Sequence, residues 1–312
     1  MILDDPRRTA FTQVDLDQTI LVHAKPIVFL FGGLVGDLTD YASANSVRAH
    51  LLHYITTQRS SLYSSANILT PEDFKDWLNH AIYPDLLTFE RDLASTAHLV
   101  VIALESPGSI AELGAFTMEK SLKSKLLVLL TQNHYEQDSF IRLGLLEQLD
   151  AEKNIIAYPF EYETKLASTL SKYLPEIVEV IEENLAPHSQ TTKFDRQNTG
   201  HITFLIHEMI CLCRALTLKE ISAFLSLMRV NLENKDVIRL LFLLRKIKLI
   251  EERKFGRQTF FFATDQERRV QLSFAASGIK FERNAFKISV GIFYDDCVTQ
   301  KERKSFIKAH LQ

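Results

Sequence analysis

Residues 98–116 read HLVVIALESPGSIAELGAF, and the fold turns on how this stretch divides. The run 98–104 is short, apolar and rich in β-branched residues, and Ser-Pro-Gly-Ser closes it, which predicts a strand buried on both faces. From Ile110 onward the apolar residues recur at helical spacing through IAELGAFTMEKSLKS. A buried strand handed to a helix through a tight turn is one unit of a parallel sheet. The pattern repeats on either side. PIVFLFGG (26–33), KLLVLLT (125–131) and NIIAYPF (154–160) read as further buried strands. SVRAHLLHYITTQ, TPEDFKDWLNH (capped by Thr70 and Asp73), LLTFERDLASTA and the stretch from Tyr162 to Leu185 read as helices between and after them. The expected fold class is α/β, a Rossmann-like parallel sheet with helices on both faces.

The chain has 312 residues, 46% apolar and 24% charged, which suits two packed domains and excludes a collagenous or largely disordered protein. Three cysteines, Cys211, Cys213 and Cys297, make neither a disulfide framework nor a four-ligand zinc site, and the first two read as buried small hydrophobes. No spacing of His, Cys and Asp suggests a metal, and His98 and His134 read as structural or solvent-facing. The N-terminus lacks the order of a signal peptide and no apolar run approaches a bilayer span, so a soluble protein of a reducing compartment, without membrane contact, is expected.

The net charge of -3 conceals an asymmetry. Residues 1–190 carry 14 Lys/Arg against 26 Asp/Glu, a net of -12; residues 191–312 carry 22 against 13, a net of +9. An acidic half joined to a basic half points to two tasks, one involving a polyanion. The polar stretch APHSQTTKFDRQNTG (186–200) marks the boundary. Beyond it HITFLIHEMICLCRA, TLKEISAFLSL and NKDVIRLLFLLRKIKLI predict three helices, and EERKFGRQTFFFAT a basic hairpin. Three helices and a hairpin describe a winged helix. The expected domains are a sheet domain over 1–188, a linker over 189–200, a winged helix over 201–270 and an extension over 271–312 with a strand or two and a terminal helix. Arg245, Lys246, Lys248, Arg253, Lys254 and Arg257 could line a surface for nucleic acid or a protein partner; the alternative is a solvated face.

Five of the ten glycines (Gly32, Gly33, Gly36, Gly108, Gly114) fall in two turns that follow strands, GGLVGD and ESPGSIAELG. Glycine concentrated there suits close approach of backbone to ligand, with two ordinary tight turns as the alternative. The Pro-Gly-Ser turn could present amides and a hydroxyl to a phosphate or ribose oxygen. Glu112, read as lying in the first helical turn, can reach the same pocket, and Gly114 is expected to let that helix pack closely on the sheet. A carboxylate there can attack, or stabilise charge on, an anomeric carbon as its bond to a base breaks. The competing reading of Glu112 is an exposed acid favoured by the helix dipole. Trp77 reads as a core anchor rather than a stacking platform.

The segment S-P-G-S-x-x-E-L-G-A resembles the signature of nucleoside deoxyribosyltransferase-like proteins. The wider series FLFGG, PEDF, LLTFE, ESPGSIAELGAF and SFIRLG, followed by a winged helix, resembles the N-glycosidase effectors of type II retrons, the group of the retron cold-anaerobic toxins. The resemblance implies a toxin of bacterial anti-phage defence in the cytoplasm that hydrolyses an N-glycosidic bond. NAD⁺ is its expected substrate and no cofactor is implied. It implies inhibition by a reverse transcriptase and its RNA–DNA product, msDNA, and leaves a homo-oligomer open. It assigns Glu112 as nucleophile or oxocarbenium stabiliser and Glu90 to ribose binding or proton transfer. Ser106, Gly108 and Ser109 would hold phosphate or ribose oxygens, and Gly32 and Gly33 would admit the sugar-phosphate. Glu72 and Asp73 would contact the leaving base or activate water, whereas Glu105 reads as a shaper of the turn. The Asp that orients the base in the deoxyribosyltransferases has only Asp37 and Asp40 as loose counterparts. The alternatives are an enzyme acting on purine deoxynucleosides or nucleotides, and a non-enzymatic nucleotide-sensing regulator.

Overall fold

The computed structural model describes residues 4–22, 25–36, 45–57, 60–72, 74, 82–159, 166–186, 191–274 and 281–311. The chain divides into two compact units, one of Lys25–Trp77 with Asp85–Gln190, the other of Met1–Ala24, Leu78–Pro84 and Thr191–Gln312.

In chain order the elements begin with α1 (Pro6–Gln13) and β1 (Ile20–Leu21). The first unit then runs β2 (Ile27–Phe31), α2 (Val47–Thr57), α3 (Ser61–Ser65), β3 (Asn67–Leu69), α4 (Leu86–Ser95) and β4 (Leu99–Ala103). It continues with α5 (Pro107–Thr117), α6 (Lys120–Lys123), β5 (Leu126–Thr131), α7 (Gln132–Glu136), α8 (Ala151–Asn154), β6 (Ile155–Tyr158), α9 (Leu166–Leu170) and α10 (Leu174–Leu185).

Five strands pair in the order β3-β2-β4-β5-β6, every pair parallel. Strands β2, β4 and β5 are buried at every residue, which is why they read as unbroken apolar runs. One sheet face (Val28, Leu30, Val101, Leu127, Leu129) packs on α2, α9 and α10 through Leu51, Ile55, Leu170 and Ile177. The other is aromatic: Phe31 meets Phe116 of α5 edge-on at 5.2 Å, and Phe74 lies between Phe29 and Phe89. A mixed α/β, Rossmann-like architecture with helices on both sides of the sheet is therefore present. The strand order reverses between β2 and β4, so the crevice at their carboxyl ends is where such sheets take ligands.

The second unit follows with β7 (Thr192–Lys193), α11 (Thr199–Cys213), α12 (Leu218–Leu227), α13 (Asn234–Lys246), β8 (Ile250–Phe255), β9 (Gln258–Ala263), β10 (Val270–Gln271), α14 (Arg283–Asp296) and α15 (Lys301–His310). Its centre is α11, buried along almost its whole length with Cys211 and Cys213 inside. Helix α12 carries a capping box, Thr217 with Glu220. Strands β8 and β9 form an antiparallel hairpin, and Leu216, between α11 and α12, bridges to Phe261 on it.

Residues 4–22 were expected in the sheet domain, but they build into this second unit. Strand β1 pairs antiparallel with both β10 and β7, and Phe11 packs on Phe224 at 4.9 Å. Arg7, almost fully buried, donates to Glu220, which also accepts from Arg303. One carboxylate thus joins the first helix to the last. Burial opposes its ionisation, and the two guanidiniums override that and hold the Glu220 carboxyl below its usual range. The C-terminal stretch has two helices where one was expected, and α15 packs Phe306 against Phe260 at 4.9 Å. Among the described residues no helix is long and apolar enough to cross a membrane.

Candidate active site

The crevice between β2 and β4 is organised by Glu105, two residues beyond β4. Its carboxylate accepts from the Gly33 amide at 2.8 Å, the Ser46 hydroxyl at 3.0 Å and the amides of Val47 and Arg48. It ties the turn after β2 to the N-terminus of α2, so the side chain read as a shaper of the turn shapes two elements at once. The glycines follow from this. A Cβ on Gly32 would lie 2.8 Å from Glu105 Oε1 and 3.0 Å from the Ala103 Cβ, at a φ of +151° that side chains rarely adopt. A Cβ on Gly33 would crowd the same carboxyl group at 3.1–3.3 Å. Within the chain, what the backbone approaches closely at Gly32 and Gly33 is Glu105, which accounts for both glycines.

The turn Ser106–Ser109 is a capping box. Ser106 accepts from the Ser109 amide at 3.1 Å, and the Ser109 hydroxyl accepts from the Ser106 amide and donates to the Ser106 carbonyl. Ser109 is fully buried and committed to the turn, so its hydroxyl is not offered to a ligand. Gly108 is exposed, and Ser106 and Pro107 line a cavity of about 510 Å³ with Ile110, His134 and Ile141. Pro107 occupies the first helical position, which puts Glu112 in the second turn, not the first. The helix dipole is too distant to favour its charge. An added Cβ on Gly114 would meet no described atom within 4 Å, so close packing on the sheet does not explain that glycine.

Glu112 shares its surroundings with Glu90 on α4, Glu72 just beyond β3, and Arg48 in the first turn of α2. Arg48, 3% exposed in its side chain, grips Glu72 at two points, Nη2 to Oε1 at 2.6 Å and Nη1 to Oε2 at 2.9 Å. Glu112 Oε2 and Arg48 Nε are buried without a hydrogen-bond partner among the described residues. Orphaned buried polar atoms are rare in folded proteins, and two in one cluster mark a place suited to a polar ligand. Burial, with Glu90 beside it, pushes the Glu112 carboxyl up to about 8, against the pull of Arg48. Burial and Glu72 push Glu90 up to about 7. Near neutral pH the site therefore holds exchangeable protons on two neighbouring carboxyls, an arrangement suited to acid–base and nucleophilic work.

The structure thus brings Glu112, Glu90 and Glu72 together. Asp73, Asp37, Asp40 and Trp77 lie outside the described residues. Arg48 was missed; its only sequence signal is a cation in the first turn of the helix that follows the first strand of the sheet.

The six basic residues are held in different ways. Arg245 is paired with Glu252 at 2.6 Å, and Lys246 lies over the Phe242 ring. Arg253 donates to His310 of α15 on the hairpin face that carries Phe260, whereas Lys254 alternates onto the opposite face. The Arg257 amide donates to Glu302, and Lys248 sits exposed in a left-handed turn.

Comparison with known proteins places these features. Residues 44–252 match the family model described as STM3845 retron effector protein. The chain is 33% identical over 121 residues to the "Retron Ec86 putative ribosyltransferase/DNA-binding protein" of Escherichia coli, covering 38% of this chain and 36% of that protein. It is 25% identical over 150 residues to the retron Ec73 protein of the same description and organism, covering 44% of this chain and 47% of that protein. The matched stretches thus span less than half of either curated relative. The family match covers most of the chain, including Arg48, all three clustered glutamates and the start of the hairpin's first strand, and the chain belongs to the STM3845 retron effector protein family.

Proposed function

We propose that the chain is the nucleoside deoxyribosyltransferase-like N-glycosidase of a retron and hydrolyses the nicotinamide–ribose bond of NAD⁺. The observation that carries this reading is the half-buried Glu112, whose Oε2 is buried and unpartnered among the described residues, beside Glu90 at the switch point of a parallel sheet. The ribosyltransferase wording attached to the Ec86 and Ec73 relatives agrees with it.

In this mechanism the ionised Glu112 adds to C1′, or stabilises cationic charge on it, as the C1′–N bond breaks. The bonding pair passes to the pyridinium nitrogen, so nicotinamide leaves neutral and needs no proton. Water then attacks C1′ and frees the Glu112 carboxylate, and Glu90 takes the water's proton. A cationic ring against the cluster favours ionisation of Glu112 at the moment it must act. Arg48 holds Glu72 and keeps the cluster from carrying three uncompensated negative charges. A purine nucleoside is the second reading, favoured by one feature: a base that must be protonated to leave finds a proton on Glu90 near neutral pH.

The second unit supports a winged-helix reading through α11–α12–α13, the β8–β9 hairpin and the Leu216–Phe261 bridge. With the +9 charge of its residues 191–312 and the DNA-binding wording of the relatives, it is the part suited to the retron's msDNA and reverse transcriptase, which would hold the effector inactive. Incubation of the purified chain with NAD⁺ and with a panel of deoxynucleosides tests the reading. Nicotinamide release by the parent and none by Glu112→Gln is expected; equal release by both overturns it.

A further inference from the structure

Between the N-terminus of α12, helix α13 and the β8–β9 hairpin lies a cavity of about 620 Å³. Its walls are apolar and include Leu241 and two phenylalanines, Phe242 and Phe261, with Ile238, 41% exposed, at the mouth. Ile82 closes one side, held there by Tyr83, whose ring packs on Phe242 at 6.1 Å. The rim is polar. Lys219 has no ion-pair partner among the described residues, and Arg245 shares one acid, Glu252. Gln258 and Thr259, both exposed at the lip, carry side chains that donate and accept hydrogen bonds.

We propose that this cavity takes an unpaired nucleotide of a single-stranded nucleic acid, with its base in the apolar chamber and its phosphates on the rim cations. The inference rests on the reading that the basic unit binds a polyanion. The volume lies in the range of small-ligand sites, and base contact with aromatic side chains tolerates any sequence. An apolar peptide side chain would use the chamber but leave Gln258, Thr259 and the uncompensated Lys219 unengaged. A base bears donors and acceptors at its edge and a phosphate beside it, and uses all three. Duplex DNA keeps its bases stacked and would meet only the rim.

The full chain is titrated at physiological salt with a labelled oligodeoxythymidylate and with its duplex. The single strand is expected to bind about tenfold more tightly than the duplex. Ile238→Trp, which plugs the mouth, is expected to bring the single strand down to the duplex level. Equal binding of strand and duplex in the parent, or an unchanged single-strand affinity in Ile238→Trp, overturns the base site and leaves the polyanion reading standing. Binding of neither defeats both. A readout independent of the variant's folding is photocrosslinking of 4-thiothymidine in the strand to the parent protein. Crosslinks are expected on α13 or the hairpin, and crosslinks confined elsewhere overturn the inference.

Discussion

Arg48 Nη2 lies 2.6 Å from Glu72 Oε1, and the same guanidinium favours ionisation of two further carboxyls, Glu90 and Glu112, that compete for charge in the same crevice. Removing it has two consequences. Glu72 loses its partner in a half-buried setting, and Glu90 and Glu112 lose the field that favours their ionised forms. Arg48→Met is expected to cost about 3 kcal/mol of stability, read from denaturant unfolding. It is also expected to move the alkaline-going rise of base release to higher pH. Arg48→Lys keeps the charge but not the two-point grip, so it should retain the pH profile better than the stability.

The raised Glu112 carboxyl makes the sheet unit's stability depend on pH with a definite sign. In the folded chain the group keeps its proton up to about 8, while in the unfolded chain it ionises near 4.5. Between those values the folded state binds more protons, so this group's contribution falls as pH rises and levels off above about 8. Glu112→Gln removes that penalty. Its melting temperature should match the parent's near pH 4 and exceed it by several degrees at pH 8, while base release is lost. A constant difference across this range would show that the carboxyl is not buried in its proton-bound form.

Base release itself should follow the same group. If Glu112 must be ionised to act, kcat/KM in the parent rises with pH and reaches its plateau above about 8. Saturation with a cationic substrate favours the carboxylate, so the corresponding rise in kcat is expected at lower pH. Identical profiles for the two constants would place the controlling ionisation elsewhere.

Much of this was legible in the sequence. The strands around Leu99–Ala103 and Leu126–Thr131 announced themselves because a parallel sheet covered on both faces needs unbroken apolar runs. Strand β3 was not found: it is three half-buried residues at the sheet edge. The grouping of Glu112, Glu90 and Glu72 was implied by the family resemblance, but Arg48 was not, because nothing local says that a cation in a helix's first turn faces inward. The Ser106-Pro107 pair did contain the correct helix start, and with it the second-turn position of Glu112. The N-terminal segment was misplaced for a different reason: Ile20 pairs with Lys193 and Gln271, and such distant partners leave no trace in a local pattern.

Glu105 gives the crevice its shape, so its loss should damage structure and activity together. Glu105→Ala leaves the Gly33, Val47 and Arg48 amides without their acceptor, at a cost of about 1–3 kcal/mol for each amide left buried and unpaired. Gly32→Ala attacks the same contact from the other side, by driving a methyl into the carboxylate. Both variants are expected to melt at lower temperature and to lose base release. The combined Gly32→Ala/Glu105→Ala variant should cost less than the sum of the two, because the clash disappears with the carboxylate.

In the second unit Glu220 is the corresponding point of leverage. Its Oε1 accepts from Arg7 at 2.8 Å and its Oε2 from Arg303 at 2.6 Å, while the same group closes the capping box of α12 on the Thr217 amide. Glu220→Ala strands the buried Arg303 guanidinium, which lies over the rings of Phe260 and Tyr294 and cannot readily reach water, and leaves Arg7 with Asp5 as its remaining acid. A loss of about 3–5 kcal/mol follows, and amide hydrogen exchange should rise in α1, α12 and α15. Glu220→Gln keeps one acceptor and part of the cap, and should lose less. If exchange rose in α12 alone, the carboxylate would be acting only as a helix cap, and the joining of the chain's first helix to its last would have to come from the aromatic packing of Phe11 and Phe306 instead.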